Sequence, residues 1–252
     1  MRILIAALFV FSAGISAAGT LKYSTVNGAA AVPLSLDNAY LRNPADPAYD
    51  YWALASFYVP QTTPASCSAA SVSMALNALL NARRDRGDEE ENITEDKLVE
   101  KVSTVPWKAL VSEEGAEGRH GLTLAQLARA AGEALAAYGA EDVSVSSVAV
   151  SNRSAQALES FRRALAENER NPRDIMLLHF VQDAVTGAPG GPFAHISPVG
   201  AYDEKTRRVL IFDVDREWYE PYWASDIQVF NAMALKTPAF GPGGYVVLKA
   251  GK

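Results

Sequence analysis

Apolar and polar positions change rhythm partway along this 252-residue chain. Over much of the first 170 residues, apolar side chains recur at steps of three and four, the spacing that gives a helix one buried face. Residues 67–82 carry such a face in Ala69, Ala70, Val72, Met74, Ala75, Leu76 and Leu79, with Pro64 and Ser66 as start signals. Residues 92–96 read as a capped start for a helix through KLVEKV, and 123–138 as an amphipathic helix capped by Thr123 and ended by Gly139. A further helix is expected over 154–168. Residues 19–50 lack periodicity and read as an arm on the domain, with a short strand at 22–26; 51–58 is an apolar lead-in. The charge run 83–91 and the Gly- and Glu-rich stretch 107–120 read as solvated loops. A strand is expected at 143–150, and from about residue 174 strands dominate: 175–181, 194–202, 208–214 and 244–248. A Gly/Pro loop (186–192), an aromatic run (218–223) and a short helix (225–233) separate them. Helices first and strands later predict an α+β fold, a helical lobe packed on an antiparallel sheet lobe.

Composition narrows the class. A hydrophobic content of 49% suffices for a real core, and a net charge of −6 without a basic stripe argues against a nucleic-acid partner. Residues 1–18 read as a secretory leader, with Arg2, an apolar run over 3–11 and the small residues Ser16, Ala17 and Ala18. That run is well short of the ~20 residues a membrane span needs. The expectation is a single domain over 19–252, exported to the periplasm or secreted, and free of the membrane once the leader is removed.

Export sharpens the meaning of Cys67, the only cysteine. Exported proteins usually pair their cysteines, so a lone thiol kept in an oxidising compartment suggests a use. Cys67 stands where the 67–82 helix should begin, and unpaired N–H groups at a helix start favour a thiolate nucleophile. A small buried core residue is the alternative. Gln61, six residues upstream, has the spacing at which papain-type enzymes place an oxyanion donor. A base must come from three histidines: His120 reads as a surface residue, His179 as a core or pocket-lining residue, and His195 opens a strand. If 203–207 forms a hairpin turn centred on Glu204, His195 and Asp213 stand directly opposite, where a carboxylate can orient an imidazole. A one-residue slip would place them on opposite faces.

With these residues in place, the chain resembles the phytochelatin synthases, papain-like transferases of γ-glutamylcysteine, and their short bacterial relatives most. The stretches that carry the resemblance are QTTPASCSAASVSMALNALL, FAHISPVGAYDEKTRRVLIFDV, DREWYEPYW and FNAM. It implies Cys67 as nucleophile, His195 as base, Asp213 as its partner and Gln61 as oxyanion donor. Arg216, Ser66, Tyr219 and His179 become substrate-facing candidates. The implied reaction is attack on the Cys–Gly carbonyl of glutathione, with the acyl enzyme resolved by water or by a second glutathione. The plant-type enzymes carry a further Cys-rich region that is not in this sequence, which favours hydrolysis. No resident cofactor is expected, and heavy-metal ions (Cd, Zn, Cu) would enter as glutathione thiolates. A small thiol peptide is the expected partner, and a homodimer stays open. Three positions depart from the family: Ala194 where Gly is usual, Gly243 where an Arg precedes the last strand, and His179 in place of a small polar residue. Two other readings compete: a thiol peptidase or amidase on another γ-glutamyl or cell-wall peptide, and a non-catalytic thiol or metal-thiolate binder.

Overall fold

The computed structural model describes residues 22–81 and 92–251. The expected leader and the charge run at 83–91 lie outside the described residues. In chain order the elements are β1 (Val32–Pro33), α1 (Ala39–Arg42), α2 (Tyr49–Ala55), α3 (Cys67–Leu80), α4 (Glu95–Lys101), α5 (Trp107–Leu110), α6 (Leu124–Ala137), β2 (Val143–Ala149) and α7 (Ala155–Arg170). Then follow β3 (Asp174–Val181), α8 (Asp183–Thr186), β4 (Ala194–Asp203), β5 (Arg208–Ile211), β6 (Tyr222–Ser225), α9 (Asp226–Met233), β7 (Lys236–Thr237), β8 (Gly241–Pro242) and β9 (Gly244–Ala250). Seven strands form one antiparallel sheet in the order β1-β6-β5-β4-β3-β9-β2. The expected α+β class is present.

Strand β3 explains the layering. All eight of its residues are buried. Ile175 and Leu177 point into a core shared with α3, α4 and α6, whereas Met176, Leu178 and Phe180 point into one shared with α7 and α9. A strand covered on both faces needs apolar residues at every position, hence its unbroken hydrophobic run. Helix α3 is buried nearly all round. Its small residues let it lie close to the sheet, where Ser71 Oγ donates to the Ile196 carbonyl of β4 (2.9 Å) and Ser68 Oγ accepts from Trp107 Nε1 (2.9 Å). The Cys67 helix is thereby docked against the strand that carries His195.

Side-chain caps form where the sequence suggests them. Thr94 Oγ1 accepts from Lys97 N, Thr123 and Gln126 form a capping box, and Ser154 and Ser225 cap α7 and α9. At three places the structure departs from the sequence reading or adds to it. Residues 22–26 hold only an isolated bridge, Val26 to Ala29, and the arm instead hydrogen-bonds to the body through Ser24 N–H and the Thr186 carbonyl (2.8 Å). The lead-in at 51–58 is largely the helix α2, and the loop expected over 107–120 opens with the one-turn helix α5.

Register corrects the hairpin arithmetic. Asp203 faces Arg208, Tyr202 faces Val209 and Ala201 faces Leu210, so the turn centres beyond Glu204. Then the register shifts: Ile211 faces Val199, which leaves Gly200 as the extra residue of a β-bulge. His195 and Asp213 are therefore not direct partners. Past the bulge Phe212 N–H donates to the Pro198 carbonyl (2.9 Å), which sets Asp213 level with Ser197. Ser197 is two residues along from His195 on the same face, a diagonal separation that long side chains can bridge. Without the bulge Asp213 would sit level with Pro198, on the opposite face.

Candidate active site

Cys67 is the first residue of α3 and is nearly buried, with no disulfide. No side-chain cap precedes it. Ser66 turns its hydroxyl back upstream instead, accepting from Thr62 N–H and Thr63 N–H, each at 3.0 Å. The turn thus packs itself around Ser66, which is 1% exposed and lies apart from the cavity lining. Of the four substrate-facing candidates, Ser66 is the one that does not line the cavity.

His195 Nε2 donates to Asp213 Oδ1 at 2.8 Å in a buried setting. With Nε2 on Asp213, Nδ1 is the nitrogen left for Cys67, whose thiol acts on the imidazole and lines the same cavity. Asp213 is fully buried and heavily served. Gln182 Nε2 donates to both oxygens (3.2 and 3.0 Å), Tyr222 Oη–H to Oδ2 (2.9 Å) and Asp215 N–H to Oδ1 (3.0 Å). Burial alone would neutralise both members of the pair. The Asp213 charge and hydrogen bond overcome it and hold the imidazole well above its usual 6.5, with Cys67 acting in the same sense. Burial likewise pushes the Asp213 carboxyl up, and His195, Gln182 and the Asp215 N–H outweigh it, so its pKa is lowered. The couple is a charged, oriented pair.

Gln61 is tied to the same structure. Its N–H donates to the carbonyl of Val214, the residue after Asp213, at 2.9 Å. Its side-chain Oε1 is buried with no protein partner. Gln61, Cys67, His179, His195, Arg216 and Tyr219 all line one cavity of about 880 Å³. Arg216 lies over the Tyr58 ring, 4.4 Å from its centre, and Tyr219 Oη donates to Thr186 Oγ1 (3.2 Å). His179 Nε2 donates to the Leu122 carbonyl (3.1 Å), which leaves Nδ1 as a buried lone pair without a partner. Burial pushes this imidazole down to about 4, so it is neutral. His120 is exposed at the cavity's rim. Among the described residues no group of three His, Cys, Asp or Glu is arranged to hold a metal ion.

Sequence reasoning missed the residues that serve Asp213. Tyr222 stood in the aromatic run at 218–223, and Gln182 is a polar residue directly after eight buried ones. Tyr58, whose hydroxyl donates to the Asp213 carbonyl at 2.5 Å, gave no signal.

A sequence profile described as phytochelatin synthase matches residues 36–242, most of the chain and all of this site. The chain belongs to the phytochelatin synthase family. A glutathione gamma-glutamylcysteinyltransferase of Schizosaccharomyces pombe is 33% identical over 92 residues, which covers 36% of this chain and 22% of that protein. A side chain at Gly243 would run into the carbonyls of His179 and Met233, so an arginine does not fit there without backbone movement.

Proposed function

We propose that the protein is a thiol acyltransferase that cleaves the Cys–Gly bond of glutathione. The observation that carries this reading is the buried His195–Asp213 couple at 2.8 Å on the same cavity as Cys67, inside a chain of this family. The Cys67 thiolate attacks the carbonyl carbon, and the oxygen takes up the charge. The Cys67 N–H and the Gln61 side-chain amide stabilise that oxyanion. His195, protonated at Nδ1, gives its proton to the glycine nitrogen as the C–N bond breaks, leaving γ-Glu-Cys as a thioester on Cys67. His195 then takes a proton from water, giving γ-Glu-Cys, or from the amine of a second glutathione, giving a longer peptide. The name of the yeast relative supports glutathione as donor.

Arg216, Tyr219 and His179 are the substrate-facing residues of this reading, all on the cavity wall. The neutral His179 offers an acceptor for a substrate N–H. A metal ion would take part as the thiolate-bound form of the substrate. The lone thiol and the stretch 1–18 support an exported protein, which cell fractionation of the full chain would test. For the activity, protein lacking residues 1–18 is incubated with glutathione, with and without a thiophilic metal. Free glycine and γ-Glu-Cys are expected, both lost in Cys67→Ser and His195→Ala. Glycine release by Cys67→Ser at the wild-type rate overturns the assignment. A small panel of γ-glutamyl and cell-wall peptides, read by mass spectrometry, separates the amidase reading.

A further inference from the structure

The turn at 61–66 carries Gln61 on one end and delivers Cys67 on the other, yet it is neither helix nor strand. Something must fix it, because an oxyanion donor misplaced by about 1 Å loses most of its effect. On the sheet side Gln61 N–H is held by the Val214 carbonyl (2.9 Å). On the helix side the turn meets a carboxylate. Glu95, the first residue of α4, is 6% exposed and reaches back 33 positions in the chain. Its Oε1 accepts from Thr62 N–H (3.0 Å) and its Oε2 from Thr62 Oγ1–H (2.9 Å). The Ser66 hydroxyl gathers Thr62 N–H and Thr63 N–H and donates to the Thr63 carbonyl (3.2 Å), closing the turn beside that carboxylate. Thr63 Oγ1 donates to the Val111 carbonyl (2.8 Å), completing the ties on that side.

A buried carboxylate is an expensive way to hold a surface turn, and carboxylates are rarely this buried unless paired. Among the described residues no cation is bonded to this one. Burial pushes its carboxyl up, and the donors of Ser66 and Thr62 pull it back. What Glu95 provides is two acceptor oxygens aimed at the residue next to Gln61, in a form that neither backbone nor water supplies there.

We infer that Glu95 is a positioning residue for acyl transfer: its carboxylate clamps Thr62 and so sets Gln61 against the Cys67 N–H where the oxyanion forms. The inference rests on Cys67 acting as an acyl-transfer nucleophile. It does not depend on glutathione being the donor.

Two reagents separate positioning from general support of the fold. Acylation of Cys67 by p-nitrophenyl acetate passes through a tetrahedral oxyanion, whereas alkylation by iodoacetamide does not. In Glu95→Ala the acylation rate should fall at least tenfold while alkylation stays within twofold of wild type. Glu95→Gln, which keeps an acceptor and can receive or donate at Thr62, should restore most of the lost acylation. Thr62 is exposed, so Thr62→Val folds even if Glu95→Ala does not. It should lower acylation about three- to tenfold and leave alkylation alone. Equal losses in both reactions, or no loss in either, overturn the inference. A wild-type protein that is alkylated but never acylated overturns the acyl-transfer reading itself, and the role of Glu95 with it.

Discussion

Replacing Gly200 by Ala asks whether the bulge in β4 sets the catalytic couple. A Cβ at Gly200 would lie 2.6 Å from Phe212 Cδ2 and 2.7 Å from Cε2, closer than real Cβ contacts come. The ring has little room to yield. It stacks on Tyr51 at 5.4 Å and meets Tyr58 edge-on at 4.9 Å. Phe212 or the bulge must therefore shift by several tenths of an ångström. Overpacking of this kind costs about 1–3 kcal/mol. The shift does not stop at stability, because Phe212 precedes Asp213, and Tyr58 is bonded to the Asp213 carbonyl. Hydrogen bonds of 2.8–3.2 Å at that carboxylate have little slack before they weaken. A displacement approaching 1 Å at a catalytic group is worth about 10²-fold in rate. Gly200→Ala should therefore lower the urea midpoint and also reduce kcat/KM for glycine release by about 10- to 100-fold. Gly132→Ala is the control. It sits in α6, where a Cβ would meet Val145 Cγ2 at an ordinary 3.9 Å, and should leave activity unchanged while stabilising by about 0.5–1 kcal/mol. A Gly200→Ala protein as stable and as active as wild type would refute the claim that the bulge aims Asp213.

Other substitutions test the electrostatics. Tyr222→Phe removes a 2.9 Å hydrogen bond to a buried carboxylate and should destabilise by about 1.5–3 kcal/mol, read by urea unfolding. Asp213→Asn should move the alkaline limb of the Cys67 alkylation profile to lower pH, since Asp213 is what raises His195. It should also remove a stability contribution with a defined window. The lowered Asp213 pKa contributes above about pH 4 and is lost as pH falls through its folded value; the raised His195 pKa contributes below about pH 6.5 and is lost as pH rises through its folded value. Asp50 has the opposite sign for a carboxyl. Burial and Asp174 raise it, so its contribution is full below about pH 4 and lost as pH rises. Asp50→Asn should therefore stabilise the protein more at pH 8 than at pH 5, measured by thermal unfolding.

How far the sequence reveals this molecule depends on the range of the interaction concerned. The helices α6, α7 and α9 carry their caps and apolar stripes locally, so their starts are readable to within a residue. Cys67 at the head of α3 is readable for the same reason. The meeting of His195 and Asp213 is expected from a register that the structure does not have: a turn centred between Lys205 and Thr206 and a bulge at Gly200 combine to bring the pair together diagonally. Nothing local announces a bulge when the residue concerned is one glycine in an apolar strand. Ser66 misled for a related reason, since a hydroxyl beside a nucleophile looks equally available to substrate and to its own turn. Glu95, Gln182 and Tyr222 were invisible because each acts on a residue remote in the chain, and only the packed fold shows which polar group it completes.

Strand β9 ties the β2 end of the sheet to the rest: among the described strands β2 pairs with it alone, and β3 uses it as the neighbour opposite β4. Until residues 244–250 are in place, the inner edge of β3 stays open and β2 has no neighbouring strand. Closure of the sheet thus joins segments about 100 residues apart, β2 and β9, a topology of long-range pairings that favours slow, late-committing assembly.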